Sequence, residues 1–233
     1  MVKHLKNCLI ILSSIFFINP LYSQVRPKHS SFPDFKKMGS GVADYVHYTT
    51  VGQLGLTVTN FGIIGEGYNN PNQPSFMYKQ YPDNIKEQVE HMSYGGLWIG
   101  GIVNGEKRVS TAIIDGVFDY GSEGFEFTDN GDSIFERSSI TTSPYYSPDA
   151  VSHQDFITQF HDMGPVVNHT PMNVIVHLQT HAWNYKFAEA FVILDYFIVN
   201  AGSTVIKDVF VGLWADAAVG NMNYTSYYEP GGR

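Results

Sequence analysis

Cysteine is almost absent: Cys8 is the single cysteine among the 233 residues. It lies in an N-terminal segment that begins with Lys3 and Lys6, continues as the apolar run 8–18 and closes with small and turn-forming residues. This order is typical of a secretory signal peptide, and the run is shorter than the roughly 20 residues that cross a bilayer. We therefore expect residues 1–23 to be removed. The mature chain, secreted or held at the cell surface, would then have no disulfide and no cysteine-based metal site.

Positive charge is also scarce, because 14 Lys and Arg residues stand against 22 Asp and Glu residues, a formal net charge of −8. Removal of residues 1–23, with their two lysines and no acid, changes this charge to −10. A chain of this charge repels nucleic acids and anionic membrane surfaces and attracts cations. No long hydrophobic run follows the N-terminal segment. We therefore expect no nucleic-acid partner and no membrane insertion.

Aromatic residues and glycine are abundant, at 15% of the chain and 22 residues respectively. Short apolar segments separated by Gly, Asn and Pro turns predict an all-β fold, a β-sandwich of antiparallel strands and hairpins. We expect residues 24–50 to lead into the domain and residues 51–220 to form the sandwich, as one unit or as two packed β subdomains. Residues 221–233 are expected to form a loop, and the sequence is expected to be a fragment of a longer protein.

Two hairpins are predicted. Asn104-Gly105 separates two apolar runs, and both turn residues of a type I′ hairpin need positive φ, which Asn and Gly tolerate. Glycines inside the first of these runs indicate a bulge or close backbone packing. A second hairpin is predicted around 129–132, between 124–128 and 133–137.

The last third of the chain is predicted to supply the core. Alternating apolar residues predict strands over 154–162 and, earlier in the chain, over 53–60. The segment 172–183 is a long strand candidate. The segment 191–200 is nearly all apolar and is predicted to be buried on both faces. Residues 201–204 are predicted to turn the chain, so that 205–214 returns as its partner strand.

A candidate Ca²⁺ site lies within the acidic stretch between Arg108 and Arg137. Asp129, Asn130 and Asp132 crowd oxygen ligands around a glycine turn, and Ca²⁺ takes six to eight oxygens. The alternative is a solvated hairpin tip, where the same residue types are favoured without any metal.

No catalytic residue is predicted. His177 and His181 are four residues apart on a predicted strand, a separation of about 13 Å that is too long for one metal ion. His153 and Asp155 share a strand face and could form a dyad, but the sequence identifies no nucleophile beside them. Asp195 stands among apolar residues and is predicted to be buried and paired with a neighbouring strand.

Several aromatic residues fall at predicted loops or strand ends. Exposed planar rings stack on sugars and peptides, so these residues could form a carbohydrate-binding surface, whereas the alternative is that they belong to the core. They are Tyr145, Tyr146, Trp183, Tyr185, Tyr224, Tyr227 and Tyr228.

An ordered set of motifs resembles the N-terminal region of large, mostly uncharacterised secreted proteins of Bacteroidetes-like bacteria, which often end in a type IX secretion sorting domain. The motifs are Gly55–Gly65, Gly95–Gly100, Val103–Thr111, Asp155–Thr158, Phe191–Asn200 and Asp208–Asp216. The resemblance implies a secreted or cell-surface β-rich protein and no established activity. Asp216 recurs in it at a strand end, where it is either a Ca²⁺ ligand or a loop cap.

Two functions remain open from the sequence. One is a non-catalytic surface or extracellular module with a binding or structural role, whose partner is an extracellular glycan or a surface protein. The other is an accessory or catalytic module of an extracellular glycan-active enzyme. Beyond a structural Ca²⁺, no cofactor is predicted.

Overall fold

The computed structural model describes residues 46–65, 74–78, 91–112, 126–127, 134–164 and 169–217. Within these ranges the chain forms β-strands and no helix, which confirms the all-β prediction, and accordingly no helix there could cross a membrane. The strands in chain order are β1 (Val46–Tyr48), β2 (Leu54–Thr59), β3 (Ile63–Ile64), β4 (Ser75–Tyr78), β5 (Met92–Val103), β6 (Glu106–Thr111), β7 (Phe135–Arg137), β8 (Gln154–His161), β9 (Val174–Ala182), β10 (Ile193–Asn200) and β11 (Ile206–Ala217).

The strands form two antiparallel sheets that pack as a sandwich. The seven-stranded sheet has the order β1-β2-β3-β5-β11, with β4 beside β2 and β6 beside β5. The four-stranded sheet has the order β10-β9-β8-β7. Both sheets contribute to one buried apolar cluster, which includes Leu56, Leu97 and Ile99 from the first sheet and Phe156, Phe160, Val176 and Leu178 from the second.

The β5–β6 hairpin forms as predicted. Val103 pairs with Glu106, and between them Asn104 and Gly105 have φ values of 53° and 84°. Positive φ at both central positions is the requirement of a type I′ turn. The second predicted hairpin lies largely outside the described residues; its C-terminal part contains β7, which pairs with β8.

The predictions for β10 and β11 were wrong in two respects. β10 is an edge strand with one face turned outward, so Ile193 is 45% exposed and Phe197 41% exposed. β11 does not pair with β10 but with β5 in the other sheet. The Asn200 side chain stabilises the crossing, because its Nδ2 donates to the Thr204 carbonyl (2.8 Å) and its Oδ1 accepts from the Gly202 amide (3.0 Å). An apolar strand of this composition can belong to either sheet. The composition of β11 therefore did not distinguish pairing with β10 from pairing with β5.

Candidate functional site

A buried carboxylate, Asp155, organises one end of the four-stranded sheet. It is fully buried and lies opposite His181 in the β8–β9 register. Its Oδ1 accepts hydrogen bonds from the Ser152 hydroxyl (2.6 Å) and amide (2.9 Å) and lies 2.8 Å from His181 Nδ1. Its Oδ2 accepts from the Val151 amide (2.8 Å) and lies 3.9 Å from Arg137 Nη2. This one carboxylate therefore links the loop before β8 to strands β7, β8 and β9.

These contacts set the protonation of the cluster. Burial by itself raises the pKa of Asp155, because a buried carboxylate loses hydration. Hydrogen bonds from His181, Ser152 and the Val151 amide, together with the charge of His181, outweigh burial and lower the pKa below its ordinary value. On β9, the strand that carries His181, burial lowers the pKa of His177. The cluster thus favours an ionised Asp155, whereas the surroundings of His177 favour a neutral imidazole.

The cluster contains Ser, His and Asp but lacks the arrangement of a hydrolytic triad. In a triad the imidazole takes the proton of the serine hydroxyl. Here Ser152 Oγ lies 2.6 Å from Asp155 Oδ1 and 2.8 Å from the Gln154 carbonyl, two acceptors for its single proton. The hydroxyl also accepts a hydrogen bond from the Ala182 amide (3.0 Å). This geometry fastens the loop to the sheet and leaves Ser152 without a base.

The Asp155 cluster gives a pH prediction. The folded-state pKa of Asp155 lies below its unfolded value of about 3.9. Its stabilising contribution is therefore complete above about pH 4 and is lost as the pH falls through the folded-state pKa. Asp155→Asn, which cannot ionise, should lower the free energy of unfolding by about 2 kcal/mol at pH 7. The free energy of unfolding is measured by urea denaturation at a series of pH values below 4. As the pH falls, it should decrease less steeply for the variant than for the wild type. Parallel curves for the two proteins would contradict this role.

A second buried carboxylate, Asp162, joins the two sheets just after β8. Its Oδ2 accepts from the Ser110 hydroxyl of β6 (2.7 Å) and from the Met172 amide (2.6 Å). Its Oδ1 accepts from the Val174 amide (2.8 Å) at the start of β9. Both oxygens are therefore occupied by donors of the protein, which is the arrangement of a structural carboxylate rather than of a catalytic one.

Exposed rings cluster beside the Asp155 end of the sheet, on a segment we call the aromatic loop, residues 183–191. The Tyr185 and Phe187 rings are stacked, with centroids 5.4 Å apart and an interplanar angle of 7°. The His153 ring also contacts Tyr185, with ring centroids 4.5 Å apart in an edge-to-face arrangement. Phe187 is 83% exposed and Tyr185 51% exposed. Because aromatic rings are normally buried, a stack open to solvent is a candidate binding surface.

The aromatic loop is held in place from both sheets. The backbone N–H of Asn184 donates to His153 Nδ1 (3.0 Å), and the side-chain Oδ1 of Asn184 accepts from the backbone N–H of Gly52 (2.7 Å). The Gln53 amide donates to the Glu189 carbonyl (2.6 Å). Gly52 has φ 76°, and a Cβ there would lie 2.8 Å from the Glu189 carbonyl oxygen, so only glycine fits this approach. These bonds orient the rings before any ligand arrives.

Of the four predicted Ca²⁺ ligands, Asp216 alone lies within the described residues. Asp129, Asn130 and Asp132 lie outside the described residues, and Asp216 is exposed near the end of β11. Within the described ranges no group of three or more His, Cys, Asp or Glu residues is placed to hold a metal ion. The prediction that Asp195 is buried was wrong, because the outer face of edge strand β10 exposes it.

The histidine predictions had a mixed outcome. His177 and His181 lie on a strand, as predicted, and have different neighbours: His177 lies near Phe197, with ring centroids 6.0 Å apart, and His181 contacts Asp155. Asp155 does form a dyad with a histidine, but with His181 on the neighbouring strand rather than with His153. The pairing of His181 with Asp155 follows from the β8–β9 register, which places position 181 opposite position 155. Ser152, which lies just before β8, was not singled out from the sequence.

Trp183, which is partly exposed, and Tyr185, which is exposed, both lie on the aromatic loop. Tyr145 and Tyr146, which are about half exposed, lie in the loop before β8. Residues 224–228 lie outside the described residues. Phe187, which is the most exposed of the described aromatic residues, was not singled out from the sequence. In comparisons with known proteins, the chain matches no protein-family model, no curated protein and no solved structure.

Proposed function

We propose that this chain is an exported, cell-surface or secreted β-sandwich module that binds extracellular glycans through its aromatic loop. The observation that carries the proposal is the solvent-exposed stack of Tyr185 and Phe187 on a loop fixed by backbone and Asn184 hydrogen bonds. The C–H faces of a pyranose ring pack on such planar rings, and sugar hydroxyls then reach nearby polar groups.

The polar groups are supplied by the same loop. Lys186 is exposed, and its Nζ lies 3.4 Å from Glu189 Oε1, so the loop that carries the stack also carries a charged donor and a charged acceptor. Pre-orientation reduces the entropy that is lost when a ligand orders a binding loop. A neutral glycan fits this surface, because the chain's net negative charge opposes anionic ligands.

The two fully buried carboxylates, Asp155 and Asp162, are not placed for glycoside hydrolysis. A glycosidase needs two carboxyl groups placed across the scissile bond, one of them able to give up a proton. Asp155 and Asp162 both accept several hydrogen bonds from the protein and are fully buried. Their hydrogen bonds and burial leave neither one presented to a sugar.

The proposal is tested by binding of soluble neutral β-linked gluco- and chito-hexasaccharides to the exported chain, measured by calorimetry. Phe187→Leu keeps the apolar volume but removes the planar face, and we expect it to weaken binding at least about tenfold, or about 1.4 kcal/mol. Phe187→Tyr keeps the ring and should bind as the wild type does.

Two outcomes would overturn the proposal. One is wild-type chain that binds none of the oligosaccharides. The other is Phe187→Leu that binds as tightly as Phe187→Tyr, because the planar stack would then not be the contact surface. Phe187 is mostly exposed, so neither substitution should disturb folding, and unfolding midpoints check this.

A further inference from the structure

We propose that β11 is a dimerisation strand that pairs in an antiparallel manner with β11 of a second copy. One edge of β11 pairs with β5, and among the described strands none pairs with its other edge. Along this edge Val209, Phe210, Val211 and Leu213 are 52%, 75%, 55% and 53% exposed. Exposed edges are usually protected by charge or proline, yet residues 209–215 contain neither.

The exposure is not confined to the outer face of the sheet. Val211 pairs with Ile99, and Leu213 pairs with Leu97, so both side chains lie on the face of β5 that forms the core. They remain half exposed because the sandwich is open between β10 and β11. A cleft of about 330 Å³ lies there, and the residues that line it include Ile99, Val174, Ile198, Val209 and Val211. Apolar side chains that face the core but remain exposed to solvent indicate a surface that another strand covers.

The sequence of β11 indicates that this other strand is its own copy. Residues 208–216 read Asp-Val-Phe-Val-Gly-Leu-Trp-Ala-Asp, and equal distances from Gly212 hold residues of the same class. A two-fold interface needs this self-complementarity, because each surface meets itself. With the axis at Gly212, antiparallel pairing places Val211 opposite the partner's Leu213 and Phe210 opposite the partner's Trp214. Aliphatic and aromatic cross-strand pairs of this kind stabilise a sheet.

The ends of the segment define the register. Asp208 has φ 48° and lies at an irregularity in the β5–β11 pairing, and a second irregularity lies at Asp216. Between the two irregularities, regular pairing with β5 covers the six positions 210–215, all of them apolar or glycine. A shift of two residues in either direction would place an aspartate opposite an aromatic residue, and a shift of one would exchange the two faces. At Gly212 a Cβ would meet no atom within 4 Å, so a side chain can be introduced there without a clash.

The proposal is independent of glycan binding. It is tested by measuring the molar mass, in solution, of the chain that lacks residues 1–23 and with them Cys8. Sedimentation equilibrium between about 1 and 100 µM should show a monomer–dimer equilibrium. Val211→Lys should raise the dimer Kd at least 100-fold, because it places a charge in an apolar pair. Val109→Lys is the matched control, since Val109 is 51% exposed on β6 of the same sheet, and it should leave Kd unchanged.

A crosslink tests the register directly and does not depend on the folding of Val211→Lys. Gly212→Cys places two thiols opposite each other at the axis, within the Cα separation that a disulfide accepts. Air oxidation should convert the variant to a covalent dimer, whereas Val109→Cys should stay monomeric on a reducing-agent-free gel. A wild-type chain that is monomeric at every concentration would overturn the proposal. Equal crosslinking of the two cysteine variants would overturn it as well.

Discussion

Replacing Asp162 with alanine is expected to lower the free energy of unfolding by about 4 kcal/mol. Asp162 is fully buried, and its two oxygens accept from the Met172 and Val174 amides and from the Ser110 hydroxyl. Alanine leaves both amides buried without an acceptor, at a cost of about 1–3 kcal/mol each. The hydroxyl of Ser110 also loses the bond that joins β6 in one sheet to the turn after β8 in the other.

Graded variants separate these contributions. Ser110→Ala removes only the bond between the sheets and should lower the free energy of unfolding by about 1 kcal/mol. Asp162→Asn keeps one acceptor oxygen but turns an amide donor towards other donors. Its decrease in the free energy of unfolding should therefore lie between those of Ser110→Ala and Asp162→Ala. Asp149→Ala, at an exposed loop position, is the control and should change stability by less than about 0.5 kcal/mol.

Urea unfolding followed by tryptophan fluorescence gives these free energies, with an unchanged m-value as the sign that the compactness of the unfolded state is unaltered. The order Asp162→Ala, Asp162→Asn, Ser110→Ala, Asp149→Ala is the expected result. If Asp162→Ala unfolds at the same urea concentration as Asp149→Ala, Asp162 does not join the sheets in solution.

Features that depend on local chemistry could be predicted from the sequence. The turn at Asn104-Gly105 requires positive φ at both positions, and few other residue pairs tolerate it. The strands 54–59 and 154–161 follow from the alternation of apolar and polar residues, because successive side chains of a strand point to opposite faces. These features need no knowledge of which strand lies beside which.

Features that depend on pairing could not be predicted. Apolar runs pack equally well in either sheet, and the crossing after β10 depends on two hydrogen bonds of the Asn200 side chain. The dyad of Asp155 and His181 forms between strands, and its residues are 26 positions apart in the sequence. Proximity along the chain instead suggested His153, whose ring packs against Tyr185.

The exposure of Asp195 also depends on strand pairing and could not be predicted from the sequence. Its neighbours on β10 are apolar, and that composition is typical of a central strand buried on both faces. β10 is instead the last strand of the four-stranded sheet, and its outer face carries Ile193, Asp195 and Phe197 to solvent. Whether an apolar strand is central or at an edge depends on the whole sheet order, which the sequence of one strand does not contain.

Replacing Gly96 with alanine is expected to lower the free energy of unfolding by about 3 kcal/mol or more. A Cβ at this position would lie 2.6 Å from the Ala112 carbonyl oxygen and 2.7 Å from the Ala112 Cβ. Gly96 pairs with Ile63 in β3, and the chain leaving β6 passes close to it at Ala112. The close packing predicted for glycines of this strand is therefore present, and backbone rather than a flexible side chain would have to move.

Gly100→Ala in the same strand is the matched control. Its Cβ would meet its nearest atom, Val109 Cγ2, at 3.5 Å, which is ordinary van der Waals contact. Alanine there also restricts the unfolded chain, so we expect an unchanged or slightly higher stability, by up to about 1 kcal/mol. Thermal unfolding followed by circular dichroism should separate the two variants by at least about 6 °C, since they differ by about 3 kcal/mol or more and about 1 kcal/mol shifts the Tm of a domain of this size by about 2–4 °C. Equal midpoints would mean that β5 and the end of β6 are not in close contact. A large loss in both variants would instead show that alanine is unfavourable throughout β5, whatever the local space.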